Sequence, residues 1–147
     1  MKSPAEGAEW HLAYVKTDDI DRNWDWIEPY LRRAVERAPC DVSLASIRER
    51  AKADKLRIWA VSGEKVSGVF VAGEYGTTVE ILMLSGDRAR EWLPALLPEF
   101  CGMARGVGLK TLRMGGRRGW KRFLEPLGFV FRGWNDDRVI MEKSLDA

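Results

Sequence analysis

Thr78-Val-Glu-Ile-Leu-Met-Leu84 is a run of β-branched and apolar residues holding a single acid, Glu80, and Ser85-Gly86-Asp87 follows it at once. The first piece reads as a strand and the second as a turn. Leu93, Leu96, Leu97, Phe100, Cys101 and Ala104 then recur at three- and four-residue spacing, which predicts a helix ending at Gly106 and Gly108. Leu109 to Met114 alternates into a second strand. Gly115-Gly-Arg-Arg-Gly119 reads as a loop, and Trp120 to Leu127 as one or two helical turns closed by Gly128, where a left-handed cap is favoured. Two strands joined through a helix predict a parallel pair with a right-handed crossover. Pro94 and Pro98 lie inside the helical pattern. Pro98 cannot donate to the carbonyl of Pro94, so the helix is expected to begin late or to bend there.

Upstream, residues 1–9 are polar and read as a loose tail. Trp10 to Val15 alternates as a strand, and Thr17-Asp-Asp-Ile20 starts a helix whose apolar stripe is Trp24, Ile27, Leu31, Ala34 and Val35. Pro29 within it marks a kink or a restart. Pro39-Cys-Asp41 is a break, and Ser43 to Lys52 a second helix with Leu44, Ile47 and Ala51 inward. Leu56 to Val61 and Val66 to Ala72 pair as a hairpin about Ser62-Gly-Glu-Lys65, and Glu74 to Thr77 turns into the central unit. Downstream, Val130 to Trp134 and Val139 to Lys143 close the chain as a hairpin about Asn135-Asp-Asp137. The resulting order, β, α, α, β, β, β, α, β, α, β, β, describes one α/β (α+β) domain spanning residues 1–147.

At 46% hydrophobic and 31% charged residues the chain is ordinary globular protein. A formal net charge of +2 gives no global field to draw in nucleic acid or a membrane surface. Cys40 and Cys101 are too few and too far apart for a metal or disulfide framework, and Cys101 falls on the apolar helix face as a core residue. No metal is expected. No apolar run approaches the roughly 20 residues of a spanning helix, so the expected location is the cytoplasm. Arg105, Lys110, Arg113, Arg117, Arg118, Lys121 and Arg122 lie between Phe100 and Leu124 without an intervening acid. Three readings of that patch compete: a cradle for cofactor phosphates, a nucleic-acid contact with Trp120 stacking on a base, or a solvated or protein-binding face. The small net charge argues against the second.

Lys121-Arg-Phe-Leu-Glu-Pro-Leu-Gly-Phe129 resembles the "fYeklGF" box that closes the core of the GNAT N-acyltransferase superfamily, and the element order is similar over most of the chain. The resemblance implies a mixed, largely antiparallel sheet with a central parallel β-α-β unit and helices on both faces. It also implies acetyl-CoA as cofactor and an amine as acceptor. The family's pyrophosphate loop would fall on Leu84, Ser85, Gly86, Arg88, Ala89 and Arg90, where a helix start offers free N–H groups, with Arg117 on the cofactor phosphates. Acyl transfer to an ammonium needs a base, and Glu80 in its apolar strand is the candidate, weighed against a place on the solvent face. Glu74 and Tyr75 at the preceding turn are possible pocket residues, and His11 reads as structural. The sequence departs from the family pattern twice: Glu91 occupies the loop's second small position, and Leu124 stands where many members carry the acidic Tyr. An eroded loop and a degenerate active site are therefore expected. In style the chain is similar to divergent, bacteriophage-encoded members. That likeness implies an alternative, a non-catalytic accessory or virion-assembly protein binding its partner through Arg117, Arg118 and Trp120.

Overall fold

The computed structural model describes residues 9–37 and 42–146. The expected tail up to Ala8 and the break at Pro39-Cys-Asp41 lie outside the described residues. Seven strands form one sheet in the order β1-β2-β3-β4-β5-β7-β6: β1 His11–Val15, β2 Arg57–Ser62, β3 Val66–Tyr75, β4 Thr78–Gly86, β5 Thr111–Gly116, β6 Val130–Asn135 and β7 Arg138–Ser144. Among the described residues only β4 and β5 run parallel, and the crossover between them is a helix. Four α-helices are present among the described residues: α1 Ile20–Arg37, α2 Leu44–Lys52, α3 Ala89–Gly106 and α4 Trp120–Leu124. The element order is the one read from sequence.

The alternation of each central strand sends its side chains into two cores. On one face, Ile58, Ala60, Val69, Val71 and Met83 meet Ile20, Trp24, Ile27 and Leu31 of α1 and Ile47 and Ala51 of α2. On the other, Val61, Phe70, Val79, Ile81, Leu112, Met114 and Met141 meet the inward side of α3 and Leu124 of α4. Ser43 caps α2 by accepting from the N–H of Ser46.

Several local expectations are corrected. Pro94 and Pro98 do not delay α3, which runs unbroken from Ala89. Each interior proline costs about 3 kcal/mol, whereas Trp92, Leu93, Leu96, Leu97 and Phe100 are all buried and gain about 1.5–3 kcal/mol apiece. Packing therefore wins. Pro29 likewise sits inside a continuous α1, so the helix does not restart there. Ser85 and Gly86 belong to the end of β4, and Gly115 and Gly116 to β5, because neighbouring strands supply ladder partners: Val69 and Gly68 for the first pair, Ile140 and Val139 for the second. Turn-forming residue types yield to sheet pairing here. Glu74 and Tyr75 are likewise the last residues of β3, and the turn is made by Gly76, with φ of 59°, and Thr77.

Candidate active site

The parallel pair β4 and β5 is in register over four residue pairs, Thr78 with Thr111 to Ile81 with Met114. Both strands continue, β4 to Gly86 and β5 to Gly116, and there they part. Two features of the sequence cause the parting. A bulge places Met83 opposite Val71 but Ile81 opposite Ala72, leaving Leu82 as the extra residue, and such a bulge bends its strand. Gly86 then lets the strand end press against β3: a Cβ there would stand 2.4 Å from the Ser67 carbonyl oxygen and 2.5 Å from the Gly68 Cα. The Asp87 N–H donates to the Ser67 carbonyl at 2.8 Å, which fixes the same approach. Meanwhile β5 stays with β7 through Gly115 and Gly116.

The gap between the arms is a narrow cleft of about 80 Å³. Leu84, Ser85, Gly86 and Ala89 wall it on the β4 side, and Gly116, Arg117, Trp120 and Leu124 on the β5 side. The ring of Trp120 covers Gly116 so closely that a Cβ there would lie 3.2 Å from it. Ser85 is 2% exposed, and its hydroxyl has no hydrogen-bond partner. Beyond β4 come Asp87 and Arg88, and α3 opens at Ala89, so the first-turn N–H groups of Ala89 and Arg90 have no partner within the helix. Trp92 does not fill the cleft. Its ring packs on Gly68 in the core, and its Nε1 donates to the Asp87 carbonyl at 3.0 Å.

The basic residues disperse. Arg88, in the left-handed region at φ of 63°, grips Glu91 through Nε at 2.5 Å and Nη2 at 2.9 Å, and its guanidinium lies over the ring of Trp10. The guanidinium holds the Glu91 carboxyl below its ordinary range. Arg90 lies over Phe123, and Arg118 over Trp134. Of the four arginines singled out from the sequence at this end, Arg117 lines the cleft. Arg117 and Trp120 thus stand at the cleft while Arg118 points to the edge strand.

A larger depression of about 550 Å³ shares Gly115, Arg117 and Arg138 with the cleft. Glu80 lines it, with Asp136 and Asp137 of the closing turn on its far side. Glu80 is half-buried and pairs in register with Arg113. Arg113 donates through Nη1 to the Tyr75 hydroxyl at 3.3 Å, while its buried Nε has no partner. Burial, and then the Glu80 carboxylate, push the Tyr75 hydroxyl above its ordinary value. Glu74 turns away to Arg57, and His11 stands at the edge strand near Glu9. Sequence reading did not single out Ala34, Arg37 or Arg138 as cleft residues. They come from α1 and from the closing hairpin, so only the tertiary fold brings them to β4.

No family model matches the sequence, and no curated protein does. Solved structures do. A probable acetyltransferase from Staphylococcus epidermidis is similar over 92% of this chain and 99% of its own, at 11% identity and a TM-score of 0.69. A Bacillus subtilis acetyltransferase in complex with CoA gives 13% identity and a TM-score of 0.68 over 92% and 99% of the two chains. The ribosomal-protein-S18-alanine N-acetyltransferase from Escherichia coli gives 13% and 0.68 over 95% and 96%. These neighbours are GNAT-family N-acetyltransferases. The parallel pair, the seven-stranded mixed sheet and the helices on both of its faces are those of the GNAT fold, and this chain has that fold.

Proposed function

We propose that the chain binds acetyl-CoA in the cleft between β4 and β5 and transfers the acetyl group to an amine held in the adjoining depression. The observation that carries this reading is the buried, unpartnered hydroxyl of Ser85 in the cleft wall. Such a group costs about 1–3 kcal/mol when left unsatisfied, and a ligand amide lying between the arms would relieve that cost. The donors present fit an elongated, phosphate-bearing cofactor. Ala89 and Arg90 N–H groups at the positive end of α3, with the Arg117 guanidinium, would hold the diphosphate. Past Met114 the β4-facing edge of β5 no longer pairs with β4, and the thioester arm would lie along it. Bound there, acetyl-CoA supplies an activated carbonyl carbon to an attacking amine.

The chain's own part is positioning and proton removal. Glu80 lines the depression and takes the proton of the acceptor ammonium, with Arg113 opposite it in register on β5. Leu124 in the cleft wall has no proton to give, so that wall position cannot protonate the leaving sulfur. The neighbours crystallised with CoA support this reading at the level of fold. Melting curves with and without acetyl-CoA test it: ligand at a hundredfold its Kd stabilises by about 2.7 kcal/mol. An unchanged curve at millimolar acetyl-CoA refutes it.

One observation favours a second reading. Glu91 in the first turn of α3 occupies Arg88, placing an acid and a spent guanidinium beside the phosphate position. With the site so degenerate, the fold would serve as a non-catalytic binding module, such as a phage accessory or virion-assembly protein, gripping a protein through Arg117, Arg118 and Trp120. Arg117→Glu with Arg118→Glu then abolishes partner capture at an unchanged melting temperature, and unaltered capture rejects it.

A further inference from the structure

At the opposite end of the sheet from the cleft, between the start of β4 and the last turns of α3, lies a separate cavity of about 370 Å³. It shares no lining residue with the cleft. Its wall is an aromatic corner: Phe100 stands edge-on to Trp59 with ring centroids 5.9 Å apart, and Tyr14 tilts against Trp59 at 5.3 Å. Its rim is apolar yet open to solvent, with Val107 70%, Met103 40% and Tyr14 36% exposed. Solvent-facing apolar side chains gathered around one concavity mark a binding surface more than scattered ones do.

The other rim is charged. Arg57 lies between two carboxylates, its Nε 3.6 Å from Asp54 Oδ1 and its Nη1 bonded to Glu74. The Tyr14 hydroxyl donates to Asp54 at 3.4 Å, and burial followed by the Asp54 charge keeps its proton on. Lys55 lies beside Asp54 and Glu74 in the neighbouring groove and does not line this cavity. Among the residues that line the cavity, two carboxylates stand against one guanidinium, an excess of one negative charge at the mouth of an apolar, ring-lined pocket.

We propose that this cavity binds a small organic cation with an apolar, ring-sized body, the body against Trp59 and Phe100 and the ammonium toward Asp54 and Glu74. The volume lies in the range of small-molecule sites. Trp and Tyr faces attract an ammonium within about 6 Å of the ring centre, and the carboxylates add charge complementarity. A concavity walled by Trp59 and Phe100 suits a compact ligand with a ring-sized body.

The test is a titration of the ¹⁵N-labelled full chain with 2-phenylethylammonium chloride, using 3-phenylpropionate as an anion of matching size. Saturable shifts of the Trp59 indole N–H and of the Met103 and Val107 amides with the cation, absent with the anion, are expected. Added salt weakens the binding. The Asp54→Asn, Glu74→Gln double variant lowers the affinity by about fivefold, with Glu74→Gln alone serving if the double variant fails to fold. Equal shifts with the anion overturn the proposal. So do shifts confined to Leu82–Gly86 and Arg117, or shifts at Met103 and Val107 that follow protein concentration without ligand, which identify a second copy as the occupant. The cleft and its cofactor play no part in this result.

Discussion

Ser85 and Gly86 are adjacent, yet the structure gives them opposite tolerances. Ser85 buries a hydroxyl with nothing to bond, so Ser85→Ala should leave the free protein as stable as before or more stable by about 1 kcal/mol. If the hydroxyl serves the cofactor, the same substitution shrinks the acetyl-CoA-induced rise in melting temperature. A rise that is undiminished in Ser85→Ala removes Ser85 from the site. Gly86 has no such latitude. A Cβ would meet the Ser67 and Gly68 backbone at 2.4 and 2.5 Å, and φ is +157°. Gly86→Ala should therefore cost about 2 kcal/mol or more, read from urea unfolding midpoints. The turn chemistry of Ser85-Gly86-Asp87 was visible in the sequence, but the need for glycine arises from contact with β3, about twenty residues away in the chain. Glu80 was equally visible, as the lone acid of an apolar strand. Arg138 was not, because its place beside the cleft depends on the closing hairpin folding back along β5.

At the scale of elements, α3 shows how far packing overrides propensity. Both prolines stay within the helix, and Pro98 is exposed. Pro98→Ala restores a donor to the Pro94 carbonyl, and the helix gain of about 3 kcal/mol is partly offset by the freer unfolded chain. A net stabilisation of about 2 kcal/mol in chemical denaturation is expected, and a loss of stability would mean that the proline ring makes a contact the helix needs. The periodicity of Leu93 to Ala104 made this helix legible, while its true start at Ala89 was hidden by the prolines. The link between α1 and α2 is electrostatic as well as apolar. Asp21 bonds Lys52 at 2.9 Å and Arg48 at 2.9 Å, and its carboxyl is held below its ordinary value, first by Lys52 and then by Arg48. A depressed carboxyl contributes stability that is present above its unfolded-state value and is lost as pH falls through the folded one. The melting-temperature gap between the wild type and Asp21→Asn should therefore be largest near neutral pH and close in acid. A gap that persists at pH 2 would show that the asparagine disturbs packing instead.

Over the whole molecule, the element order and the closing Gly128 at φ of +95° followed from local patterns, but the parting of β4 from β5 did not. It needs the bulge at Leu82, the press of Gly86 on β3 and the attachment of Gly115 and Gly116 to β7, all of them long-range. Past Ile81 and Met114 the facing edges of the two arms no longer pair with each other, so backbone groups that a continuous sheet would satisfy are free to meet a ligand. A cofactor lying between the arms must then bond both at once. Hydrogen exchange with and without acetyl-CoA should show slowing in Leu82–Gly86 and in Gly115–Arg117 together, with the first turn of α3 joining them where the diphosphate sits. Slowing on one arm alone would place the ligand outside the cleft. Slowing centred on Met103 and Val107 would send it to the aromatic cavity at the other end of the sheet. Joint protection of the two arms, lost together in Ser85→Ala, would tie the parted strands to cofactor binding.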